Sequence, residues 1–117
     1  MTREGATDSF DSSDVLSVSL DPELRRLRPR LQEALPSPFR VDIAVPAKKA
    51  ACFVVIANLQ HLLHVRAASR HALIVVYGSR PQDRVTYLDA GADDAISTCS
   101  PRELAARIQA GTRRLAW

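Results

Sequence analysis

The chain has 117 residues, enough for one hydrophobic core and too few for two. Its 46% hydrophobic content with only 5% aromatics fits an α/β domain with an aliphatic core. Net charge is +3, and all of the 16 basic residues except Lys48 and Lys49 are arginine; without a dense basic stripe and interleaved aromatics, direct nucleic-acid binding is not expected.

The longest apolar runs, residues 53–57 and 72–77, are too short to cross a bilayer. The N-terminus lacks the basic-then-apolar pattern of a signal peptide, so a cytoplasmic protein with no membrane contact is expected. Cys52 and Cys99 make no disulfide framework, and no His/Cys cluster has zinc spacing, so neither a metal nor another cofactor is expected.

Residues 1–13 are polar and small apart from Phe10, and are expected to be a disordered tail preceding a single domain over 14–117. Residues 14–20 alternate and read as a strand. Asp21-Pro22 then suits a helix N-cap and first helical position. Leu24, Leu27, Leu31 and Leu35 mark the helix, and Pro29 should kink or restart it. Residues 39–44 form a second strand.

Only residues 45–51 separate this strand from the apolar strand 52–57. A parallel crossover normally needs a dozen or more residues, so at most one or two helical turns fit. Residues 59–68 read as a helix; His61 and His64, three apart with no third ligand nearby, are expected at its surface. Residues 72–77 form a buried strand. A helix runs from Gly78-Ser79-Arg80-Pro81 to about Ala90, with Gly91 as its C-cap. Residues 95–97 form a short strand. Ser100-Pro101-Arg102-Glu103 is a capping box that opens a helix to about Leu115, with Leu104, Ile108 and Leu115 inward. Alternating strands and helices imply a doubly wound, five-stranded parallel sheet of flavodoxin-like type with a truncated second helix.

The segment DRVTYLDAGADDAI followed by SPRELAARI resembles the last third of a response-regulator receiver domain of the OmpR/PhoB type. VLSVSLDPELRRL resembles the family's first strand and helix, FRVDIA its second strand, and FVVIANLQ its third strand and phosphoacceptor turn. The resemblance implies an aspartate acceptor, two acidic residues that hold Mg²⁺, a Thr or Ser ending the fourth strand, and a Lys after the fifth. A carboxylate attacks phosphorus while the cation, hydroxyl and Lys offset the gathered charge.

This chain departs from that pattern at nearly every position. The acidic pair falls on Ser19 and Leu20, with Asp21 one step late. The acceptor falls on Asn58 or Ala57, the hydroxyl on Tyr77 or Val76, the Lys on Thr98, and the following proline on Cys99. Asn cannot form an acyl phosphate, and Ser with Leu cannot build a magnesium site. Asp21 is assigned to helix capping and Tyr77 to packing at a strand end. The connections containing the second and third helices are shorter than in the family, so apolar sheet surface should be left for a partner protein, the tail or a rearranged helix to cover.

The opposite edge retains the family's dimer pattern. Its charged set maps onto Arg84, Asp89, Asp93, Asp94, Glu103, Arg107 and Arg114, and its apolar patch onto Val85, Leu88 and Ala105. A twofold axis would let Arg84 meet Glu103 and Asp94 meet Arg107 twice. The resemblance thus implies a phosphorylation-independent pseudo-receiver, a homodimerising regulatory module in bacterial signal transduction and transcription control. The 117 residues stop just past the fifth helix, so the chain itself is not expected to read DNA bases. Two alternatives stand beside this: a small-molecule sensor whose vacated pocket is lined by Ser19, Asn58, Tyr77, Thr98 and Cys99, and a stand-alone adaptor. An enzyme is least expected, because no nucleophile–base pair emerges.

Overall fold

A computed structural model describes residues 15–44 and 53–115. The expected tail, the short connection 45–51 and Cys52 lie outside the described residues.

The elements are β1 (Leu16–Leu20), a 3-10 turn (Pro22–Leu27), α1 (Arg28–Ala34), β2 (Phe39–Ile43), β3 (Phe53–Ile56), α2 (Leu59–Ala68), β4 (Leu73–Tyr77), a 3-10 turn (Pro81–Asp83), α3 (Arg84–Asp89), β5 (Asp94–Ile96) and α4 (Pro101–Leu115). The five strands pair in parallel in the order β2-β1-β3-β4-β5. This is the doubly wound, flavodoxin-like receiver fold.

Helix boundaries follow local chemistry. The expected helix over 22–35 divides in two. Pro29 sits in the first turn of α1, where no intrahelical donor is needed, so the chain restarts there after the 3-10 turn. Before β5, Gly91 adopts φ +110, and its N–H donates to the Leu88 carbonyl. Ser100 Oγ caps α4 by accepting from Glu103 N–H at 3.1 Å. The Glu103 carboxylate, expected to complete a capping box, pairs with Arg107 one turn on.

Strand alternation sorts the core into two layers. On one face Val18, Leu20, Val41, Phe53, Val55, Val75, Tyr77 and Ile96 pack against Leu31 and Leu35 and against Leu104, Ala105 and Ile108 of α4. On the other, Val54, Ile56, Ile74, Val76 and Ala95 meet Leu62 and Val65 of α2, with Tyr87 of α3. Helix α4 approaches the first face closely because Gly111 has no Cβ: one built there would lie 2.9 Å from Phe53 Cε2 and 3.2 Å from Leu73 Cδ2.

The expectation of exposed apolar sheet beside the shortened helices is corrected. On the second face, β1 and β2 contribute Ser17, Ser19, Arg40 and Asp42, which pair in register as Ser17–Arg40 and Ser19–Asp42. That part of the sheet is polar and needs no apolar cover. The outer edge of β2 is also capped. Gln32 donates to the Phe39 carbonyl and accepts from Val41 N–H, while Arg28 donates to the Val41 carbonyl. These side chains take the place of a sixth strand and block edge-to-edge pairing.

Candidate functional site at the switch point

Strand order reverses between β1 and β3, so the crevice at their carboxyl ends is where a fold of this class presents a ligand site. Four side chains meet there. Asp21 follows β1, Glu23 is the second residue of the 3-10 turn, Asn58 caps α2 and His61 lies in its first turn.

Asp21 is completely buried, at 0% exposure, and both its oxygens are engaged. Oδ1 accepts from Glu23 N–H at 2.9 Å, which makes Asp21 the cap of the turn, as expected. Oδ2 accepts from Ala57 N–H at 2.9 Å and lies 2.6 Å from His61 Nδ1. A carboxylate only accepts, so Nδ1 is the donor. The aspartate therefore clamps the end of β1 to the end of β3 and holds the imidazole in one orientation.

Asn58 caps α2, with Oδ1 accepting from His61 N–H at 2.8 Å, and its Nδ2 donates to Glu23 Oε2 at 3.1 Å. The surface assignment of the two histidines is thus half corrected. His64 is exposed, whereas His61 is 28% exposed and paired across 40 residues of chain. One donor atom each from Asp21, Glu23 and His61 lies within 4.8 Å of the others. The sequence reading placed Asp21 and Asn58 at these strand ends but missed the histidine. The available signal was the adjacency of β1 and β3, which puts the first turn of α2 beside Asp21 in this topology.

The remaining positions mapped from the phosphorylation pattern differ in burial. Ser19 and Leu20, where the acidic pair maps, are buried, and Leu20 belongs to the core. Tyr77 is a buried strand-end residue, and its hydroxyl donates to the Cys99 carbonyl at 2.8 Å and accepts from Cys99 N–H. Val76, the other hydroxyl position, lies in the second core layer. A buried hydroxyl not singled out from the sequence, Ser79, donates to the Arg80 carbonyl. Thr98 is exposed. Burial raises the Cys99 thiol pKa, the Glu103 charge raises it further, and Arg107 partly opposes them. The cleft of about 610 Å³ beside Tyr77 is lined by residues 22–27 and not by Ser19, Asn58, Thr98 or Cys99.

On the other edge, Val85 is 66% exposed and Leu88 is also exposed, both on α3. Ala105, expected with them, is corrected to the core at 1% exposure: Leu104, Ala105, Ile108 and Gly111 form the face of α4 turned to the sheet. The charged set pairs within the chain. Asp94 sits between Arg84 (3.5 Å) and Arg107 (3.4 Å), and Arg107 also holds Glu103 at 3.1 Å. Asp93 faces a different partner: its Oδ2 accepts from Arg66 and from Ile74 N–H. Asp89 is exposed at the end of α3, and the side chain of Arg114 lies outside the described residues.

Among solved structures, a BeF3-activated DrrB receiver domain is similar, with a TM-score of 0.70. The match covers 85% of this chain and 98% of that one at 15% identity, which shows the fold alone. No family model matches the chain, and no curated protein matches it.

The Mg²⁺ that this fold's signalling members use does not fit these residues. Of the mapped acidic positions only Asp21 carries a carboxylate, and it is fully buried with both oxygens already accepting N–H groups. Mg²⁺ needs near-octahedral oxygen ligands and keeps several waters, whereas Oδ2 of the buried carboxylate faces an imidazole nitrogen.

Proposed function

We propose that the chain is a phosphorylation-independent pseudo-receiver, a non-enzymatic cytoplasmic module of bacterial signal transduction that regulates transcription by association. The observation that carries this reading is Asp21. The one carboxylate at the mapped acidic positions is spent on tying β1 to β3, and Ala57 or Asn58 stands where an acceptor would be. Neither can become an acyl phosphate. The test is incubation with acetyl phosphate and Mg²⁺, read by intact mass. The expected result is an unmodified chain, and a hydroxylamine-labile phosphate adduct would overturn the reading.

Association is assigned to the edge formed by α3, β5 and α4. Exposed Val85 and Leu88 supply the apolar centre, and the half-exposed Arg84, Asp94 and Arg107 the polar rim. The intrachain pairs leave these charges able to exchange partners across a twofold axis at little cost, since exposed ion pairs contribute about 0–1 kcal/mol each. Sedimentation of the wild type should show a concentration-dependent dimer, weakened in Arg107→Glu. A wild type that stays monomeric at high micromolar concentration would remove this part of the reading.

An adaptor role has one observation of its own: Leu59 and Leu63, one turn apart on α2, are both exposed. Capture of a partner by wild type and by Arg84→Glu alike, with loss in Leu63→Glu, would favour it.

A further inference from the structure

The phosphate pattern is absent from the switch point, yet the site gathers a mixed nitrogen and oxygen donor set. We propose that Asp21, His61 and Glu23 bind one divalent transition-metal ion, with Zn²⁺ the best fit, through an imidazole nitrogen and two carboxylates.

The geometry supports this in three ways. First, His61 Nδ1 and Asp21 Oδ2 share a proton at 2.6 Å, and a metal that accepts both nitrogen and oxygen can replace that proton. The Nδ1–H bond breaks and its proton leaves to solvent, Nε2 takes a proton from solvent so that the ring stays neutral, and Nδ1–metal and Oδ2–metal bonds form. Mg²⁺ cannot make this exchange, because it does not use the imidazole and leaves the N–H on Oδ2. With bonds near 2.0–2.1 Å, tetrahedral zinc sets its donors about 3.3 Å apart, so the ring must back away by roughly 0.7 Å from its 2.6 Å contact. Being partly exposed at the first turn of α2, the ring is able to do so.

Second, Asp21 is oriented in advance. Glu23 N–H fixes Oδ1, and Ala57 N–H holds the second lone pair of Oδ2, so backbone donors from the turn and β3 form a supporting layer around the ligand. Third, Glu23 is exposed, and among the described residues its carboxylate is held only by Asn58 Nδ2 at 3.1 Å. It can turn toward the ion without breaking a buried contact, and water completes the fourth position.

The test is equilibrium dialysis of the full chain against micromolar Zn²⁺ and Co²⁺, with Mg²⁺ for comparison and Co²⁺ visible absorption reporting the ligand set. One Zn²⁺ or Co²⁺ per chain is expected, with no comparable Mg²⁺ binding. His61→Gln should weaken binding about tenfold or more, and so should Glu23→Gln, whose exposed position keeps the fold intact. A His64→Ala/His71→Ala variant and Cys99→Ser should bind as the wild type does. No ion retained, undiminished binding by both His61→Gln and Glu23→Gln, or loss on changing His64, His71 or Cys99 would each overturn the assignment. The phosphodonor test is independent of all these outcomes.

Discussion

Replacing Asp21 with Ala tests whether the switch point is a structural clamp. The substitution removes three acceptances: from Glu23 N–H, Ala57 N–H and His61 Nδ1. The first is an N-cap, whose loss costs about 1 kcal/mol. The second leaves a strand-end amide beside a site of 0% exposure without a partner, at about 1–3 kcal/mol. His61 is partly exposed and can turn to water, so its loss adds little. The sum is about 2–4 kcal/mol, which for a domain this size lowers the melting temperature by roughly 10–25 °C. Asp21→Asn should fall between: its amide oxygen can serve only one of the two backbone donors, and its NH₂ then faces the other. Urea and thermal unfolding followed by far-UV circular dichroism read both variants. A midpoint for Asp21→Ala within about 0.5 kcal/mol of wild type would refute the clamp, and with it the claim that the carboxylate has no capacity left for magnesium.

Three further outcomes follow from the packing. Gly111→Ala gains about 1 kcal/mol of helix propensity but drives a Cβ to 2.9 Å from the buried Phe53 ring, so net destabilisation of about 0–2 kcal/mol is expected in denaturant unfolding; a more stable variant would contradict the close packing of α4 on the sheet. The Arg66 guanidinium donates to the carbonyls of Ser69, Arg70, Ala72 and Gly91 and to Asp93, so Arg66→Met should cost about 2–3 kcal/mol, and Arg66→Lys should recover less than half of it because a point charge cannot span that fan. The Cys99 thiol has a raised pKa in the folded state, so above the ordinary thiol range the unfolded chain releases this proton before the native one does. Its contribution to stability is therefore full below that range and declines as pH rises through it. In a Cys52→Ser chain, native Cys99 should be alkylated more slowly than the urea-unfolded thiol at pH 8, and Glu103→Gln should narrow the gap.

What the sequence determined by itself is the local and periodic part of the molecule. Apolar runs and turn residues placed all five strands, and Pro29, Gly91 and Ser100 marked real boundaries, because capping and φ restrictions act within a few residues. The residues standing at the mapped acceptor and acidic-pair positions, Asn58, Ser19 and Leu20, were equally legible, since they depend on residue identity alone. The tertiary structure decided everything that needs two distant segments or the phase of a helix. Ala105 turned inward because α4 docks through Leu104, Ile108 and Gly111, although sequence spacing could equally have placed it outside. Ser17, Ser19, Arg40 and Asp42 came together as a polar face only once β1 and β2 paired in register. Asp21 and His61, 40 residues apart, met because β3 lies beside β1. No periodicity encodes that contact, because it arises from strand order.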